Sequence, residues 1–170
     1  MGDTIETANA FGYDQDFYAW TQTQAAALRA AALGGANLPV DWENVAEEIE
    51  SLGKSQASTL RSRLRTIIEH LLKLEFSPAR NPAFGWQDTV ERSRIDFDDD
   101  IKDSPSLRQR IPEWVEREQR AAARLVLFNL RQHGEWAPDV GARMLGRHYT
   151  DAEVLGDWWP DIISRSDAGA

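Results

Sequence analysis

The strongest periodic signal in the chain is Leu60, Leu64, Ile67, Leu71 and Leu74, spaced four, three, four and three. That rhythm keeps apolar side chains on one face of an α-helix. Upstream, Val45, Ile49 and Leu52 repeat at four and three. Asp41 precedes them as an N-cap, and Glu43 falls in the first turn, where a negative charge suits the helix dipole. No Pro and no pair of turn residues interrupts residues 42–76. The spacing therefore predicts one long helix there, with any bend at Gly53.

Shorter rhythms flank it. Phe17, Trp20, Ala27, Leu28 and Ala31 mark the apolar side of a first helix, capped by Asp14, running to about Leu33 and stopped by Gly34-Gly35. After the loop SPARNPAFG, Trp86, Val90, Phe97 and Ile101 predict a third helix. In DSPSLR, Ser104 is placed to cap and Pro105 to take the first helical position. A second long helix over 112–132 carries Trp114, Glu118, Ala121, Leu125 and Phe128, and its apolar run LVLFNL predicts a central position. HGEWAPDVG reads as a loop, and Thr150 or Asp151 caps a last helix, AEVLGDWW, ended by Pro160. No segment alternates as a strand. The expectation is all-α: a single-domain helical bundle over 13–160 with two long helices and several shorter ones, a frayed 1–12 and a flexible 161–170. Leu64, Ile67, Leu71, Leu125 and Phe128 are its expected shared core.

Composition narrows the chemistry. The chain has 170 residues, 42% hydrophobic and 28% charged, which suits one folded domain rather than disorder. It has no Cys, which excludes disulfides, thiolate catalysis and Cys-based zinc sites and fits a reducing cytoplasm. MGDTIETANAFG has neither the basic start nor the apolar run of a signal peptide. No stretch approaches the roughly 18 apolar residues of a membrane span. A net charge of −9 discourages nonspecific contact with nucleic acid or anionic membranes.

Five ordered blocks carry a resemblance: YDQDFYAW (13–20), DWENVAEEIESLG (41–53), HLLKLEFSP (70–78), DSPSLR (103–108) and DWWP (157–160). Together they resemble the bacterial domain-of-unknown-function family numbered twenty-nine, found largely in cyanobacteria and proteobacteria. Its pattern usually has aromatic or Gln residues where this chain has Leu74-Glu75-Phe76, and usually lacks the acidic run at 96–100. The resemblance implies a small all-helical domain and brings no established activity.

The candidate chemistry centres on the acidic stretch. Glu43, Glu47 and Glu50 share a helix face, where like charges repel by a few tenths of a kcal/mol each. A solvated face relieved by Lys54 is the expected reading. Glu48 stands nearest the core edge and, if buried, is expected to pair with an arginine of the 117–124 face. The enzymatic alternative joins Glu47, Glu48 and Glu50 to His70 for acid–base or metal-assisted chemistry. On one straight helix Glu48 and His70 stand about 33 Å apart, so one ion within one chain cannot reach both. The residues three before His70, His133 and His148 are Ile67, Leu130 and Leu145, which excludes the Glu-x-x-His pattern of di-iron bundles. DFDDD (96–100) lacks the Gly and the final Glu of a calcium loop and reads as a solvated acidic face. Arg61, Arg63 and Arg65, and Arg117, Arg120 and Arg124, could meet phosphates, but acids outnumber bases 28 to 19 and are the expected partners. Trp158-Trp159 is expected to dock on the bundle, and GRHYTD (146–151) is too short a signal to use. No nucleophile elbow, phosphate loop or dinucleotide fingerprint is present. The expectation is a cytoplasmic, non-enzymatic interaction or regulatory protein with a protein partner and no cofactor or metal. Nucleic-acid binding is the weaker alternative.

Overall fold

The computed structural model describes residues 12–35, 38–79, 83–135 and 137–161; the segments read as a frayed start and a flexible tail lie almost wholly outside them. The protein is all-α. The described residues form α1 (Phe17–Leu33), α2 (Trp42–Phe76), α3 (Ala83–Lys102), a 3-10 helix (Pro105–Arg110), α4 (Ile111–Gln132), α5 (Pro138–Leu145) and α6 (Asp151–Leu155). The two long helices fall where the periodicity puts them, and Gly53 does not interrupt α2. The loop expected over 133–141 already contains the start of α5, because Pro138 takes a first-turn position where its missing N–H costs nothing.

The chain packs as two compact units, Met1–Leu60 with Asp98–Gln109, and Arg61–Phe97 with Arg110–Ala170. In the first, the cap of α1 is Asp16 rather than Asp14. Asp16 Oδ1 accepts from Ala19 N–H at 2.8 Å, and Oδ2 accepts from Ser106 N–H at 2.6 Å. A partner ninety residues away selects this carboxylate, which no local pattern reveals. Ser104, expected to cap its own helix, instead accepts from Tyr18 N–H at 3.2 Å and leaves the following residues in a 3-10 helix. Asp41 does cap α2, accepting from Asn44 N–H at 3.3 Å. Trp42 is half-buried, and its shielded indole N–H has no acceptor among the described residues.

The second unit holds the larger core. Leu64, Ile67, Ile68, Leu71 and Leu72 of α2 are fully buried, as are Val90 of α3, Val126 of α4 and Val154 of α6. Leu125 and Phe128, expected in this core, are 44% and 58% exposed. The buried face of α4 runs instead through Trp114, Val115, Glu118, Gln119, Ala122, Val126 and Leu130. A buried glutamate with cationic partners outranks the larger apolar residues in setting the rotation of α4. Trp158 and Trp159 do dock and are half-buried.

α1 packs tightly on α2 at Gly53, because a Cβ there would collide with Thr21 Oγ1. Gly53→Ala is expected to lower stability by about 1–3 kcal/mol in urea unfolding despite the better helix propensity of Ala. Thr21→Ala in the same chain should recover part of that loss.

Candidate functional site

Contacts within the first unit give two carboxylates of the acidic stretch their partners. Arg29 of α1 bridges Glu43 and Glu50, with 2.9 Å bonds to each. Lys54 reaches the other Glu50 oxygen at 2.8 Å. Hydrogen bonds from Lys54 and then Arg29 hold the Glu50 carboxyl below its ordinary pKa. Glu50 is therefore half-buried and paired, not outward and wet as its spacing suggests. Glu47 and Glu48 are exposed, so Glu48 does not lean on the core. His70 Nδ1 lies 2.8 Å from the Thr66 carbonyl, which can only accept, so the proton sits on Nδ1. With α2 unbroken, about 33 Å of helix separates His70 from Glu48. The four residues Glu47, Glu48, Glu50 and His70 are not brought together. Among the described residues no group of three or more His, Asp or Glu side chains is placed to hold a metal ion.

The geometry of α1 against α2 exposes something the spacing did not suggest. Thr21 stands over Gly53 and Arg29 reaches Glu43 and Glu50, so the two helices run antiparallel. At 100° per residue, Ala46 and Gly53 face α1 and Glu43 and Glu50 lie on one shoulder of that face. Val45, Ile49 and Leu52 lie on the other. The matching shoulder of α1 carries Phe17, Trp20, Gln24 and Leu28, opposite Arg29. Gln56 on this side donates to the Asp100 carbonyl at 3.1 Å, which places the last turn of α3 there. α3 then ends at Lys102, and Asp103 turns to accept from Phe17 N–H at 2.7 Å. From Gln56 back towards Asp41 no third helix lies on this shoulder among the described residues. What remains is a groove about four turns long. Val45 is 39% exposed and Leu52 50%, while Ile49, Phe17, Trp20 and Leu28 are half-buried. Tyr13 packs edge-on to Phe17 and Trp20, with centroids 5.5 and 4.9 Å away. A cavity of about 380 Å³ lies at this end, lined by Tyr13, Asp14, Phe17, Gln56 and Asp103. The stripe read from sequence as a core face is thus the wall of an open groove.

The second unit concentrates charge inside. Glu118 is 1% exposed. Arg61 donates to its Oε1 at 2.9 and 2.7 Å, and Arg65 to its Oε2 at 2.7 Å. Burial alone would push its pKa up, but hydrogen bonds from the two arginines outweigh this and hold it down. Arg63 pairs with Asp96 and Arg120 with Glu116, so four of the six arginines expected to have acidic partners have them. A second cluster assembles from GRHYTD, which was too short to read. Tyr149 O–H donates to Glu75 at 2.8 Å, and Arg147 bridges Glu75 and Glu153 at 3.2 and 2.7 Å. Burial, then the Glu75 charge, raises the Tyr149 pKa, so this phenol stays a donor. Arg94, 9% exposed, donates to the carbonyls of Val154, Glu153 and Trp158 at 2.9, 3.0 and 2.9 Å and lies 4.8 Å from the Trp159 ring. Sequence held one clue to the first cluster: Glu118 interrupts an apolar stripe. It held none to Arg94, whose partners are backbone carbonyls.

The family profile described as Domain of unknown function DUF29 matches residues 12–139. The chain belongs to the DUF29 family. The match ends before the C-terminal DWWP block of the expected resemblance. No curated protein matches the DUF29 chain. A crystal structure of an alpha-helical protein of unknown function from Rhodospirillum rubrum is similar to it, with a TM-score of 0.69 and 23% identity over 88% of this chain and 92% of that one. That likeness shows the fold.

Two variants test the buried charges of the DUF29 chain. Glu118→Gln leaves Arg61 and Arg65 without their counter-charge and should cost about 2–4 kcal/mol at pH 7. Because the folded pKa of Glu118 lies below its unfolded value, that contribution is complete above the ordinary carboxylate range. It is lost as pH falls through the folded value. Urea unfolding of both proteins should therefore show the gap closing below about pH 4. Arg94→Lys keeps the charge but not the fork, and should cost about 2–3 kcal/mol with a red shift of tryptophan emission.

Proposed function

We propose that this DUF29 chain is a non-enzymatic interaction protein of the bacterial cytoplasm that binds a protein partner in the α1–α2 groove. The observation that carries this reading is the run Val45, Ile49 and Leu52, left open at helical spacing beside Phe17, Trp20 and Leu28. Contiguous apolar surface of this kind marks interaction sites, whereas scattered exposed apolar residues need no explanation. Helix-in-groove recognition reads side chains at these intervals. Within the described residues no helix is long and apolar enough to cross a membrane.

The rival reading makes the acidic stretch catalytic. The charge state of Glu50 argues against it, since a general acid needs a raised pKa and Arg29 and Lys54 push this one down. His70, on the far half of α2, has one ring nitrogen committed to Thr66. The test compares tagged wild type, Val45→Gln with Leu52→Gln, and His70→Ala, each first shown to fold, by crosslinking in the source bacterium. The expected result is a stoichiometric crosslinked partner with wild type and His70→Ala that disappears with the groove variant. Retention of the partner by the groove variant would sink the proposal. A phenotype lost only in His70→Ala would favour the enzyme.

A further inference from the structure

The groove has a charge pattern that selects its occupant. Asp41 and Glu48 are exposed and, by helical register, lie on the solvent side of Val45 and Leu52. Asp14 and Asp103, both exposed, line the cavity at the other end. Among the described residues no Lys or Arg pairs with any of these four, and Lys102, beside Asp103, is taken by Asp98 and Asp99. Arg29 is the one basic residue of α1 and Lys54 the one basic residue of α2 before Gln56. Arg29 bridges Glu43 and Glu50 on the opposite shoulder, and Lys54 pairs with Glu50. The groove therefore has an apolar floor, an acidic rim and acidic residues at the end where α3 stops.

We infer that the groove takes a basic amphipathic α-helix of a protein partner. Its apolar stripe lies on Val45, Ile49, Leu52, Phe17 and Leu28, and its Lys or Arg side chains meet Asp41, Glu48, Asp14 and Asp103. The inference rests on the reading of this groove as a binding surface. The span from Asp41 to Gln56 is about 22 Å, which sets the bound helix at about four turns. It fills the place that α3 leaves by ending at Lys102. The segment of this chain that precedes Gly12 does not fit the pattern, because residues 1–11 contain Asp3 and Glu6 and no Lys or Arg. A second copy seated groove to groove sets Asp41 and Glu48 against acids, on chains that each carry −9.

The test is calorimetric titration of the full chain with three peptides of about 18 residues. The first has Leu at i, i+3, i+4 and i+7 with Lys elsewhere. The second replaces every Lys by Glu. The third has the Leu/Lys composition in scrambled order. The ordered Lys peptide should bind roughly tenfold or more tighter than either control. Val45→Gln with Leu52→Gln should weaken it by roughly tenfold with no change of charge. Asp14→Asn with Asp103→Asn should weaken it roughly threefold to tenfold, and added salt should do the same. Equal binding of the Glu peptide, still dependent on Leu52, would overturn the basic partner and leave the groove standing. Equal binding of the scrambled peptide, independent of Leu52, would reduce the effect to net charge and remove both readings. If no peptide binds and the chain self-associates in sedimentation through Leu52, the occupant is a second copy and the partner inference fails. If nothing binds and nothing associates, it fails outright.

Discussion

One face of α2 governs this fold, and its constraint is a seven-residue repeat. Ala46, Gly53, Leu60, Ile67 and Leu74 recur every two turns and all are buried. Two turns of α-helix take 7.2 residues, so such a repeat stays on nearly one line for the length of the helix. The size of the residue on that line decides what packs there. Ala46 and Gly53 admit α1 to van der Waals contact with the backbone. Leu60, Ile67 and Leu74 fill larger cores. A larger side chain at Gly53 would push Thr21 away and take Arg29 out of reach of its two carboxylates.

Arginine does three different jobs in this protein, each set by what its fork meets. Arg29 works at the surface, where an ion pair contributes little on its own and mainly fixes which shoulder of α2 faces α1. Arg61 and Arg65 work as a pair on a buried carboxylate, where either one missing leaves charge uncompensated. Arg94 meets carbonyls rather than a carboxylate. It satisfies acceptors at the end of α6 that the helix itself cannot, and so ties the segment up to Trp159 in place.

The groove follows from a length mismatch. α2 extends about four turns past the level at which α3 stops, and α1 covers only one shoulder of that extension. Exposed Val45 and Leu52 carry no folding role that the core face does not already fill. By helical register the exposed acids Asp41 and Glu48 stand beside this uncovered stripe.

The sequence by itself determined the fold class, the limits of both long helices and the Asp41 cap, and narrowed the last cap to Thr150 or Asp151, because each depends on contacts within one or two turns. It also led to the expectation that Trp158-Trp159 dock, and both are half-buried. It did not determine which side of an amphipathic helix is covered. Val45, Ile49 and Leu52, or Leu125 and Phe128, look like core at helical spacing, yet the buried lines run one position away, through Ala46 and Gly53 and through Glu118 and Ala122. Small residues and a charged one carry no weight in a hydrophobic pattern. Gly53 is buried because the Thr21 side chain of α1 stands where a Cβ would be, and Glu118 because two arginines fifty-odd residues away neutralise it. Only the tertiary structure supplies those neighbours: Arg29 draws Glu50 into a half-buried pair, Glu43, Glu47 and Glu48 stay exposed as their spacing suggests, and Val45 and Leu52 are left at the surface.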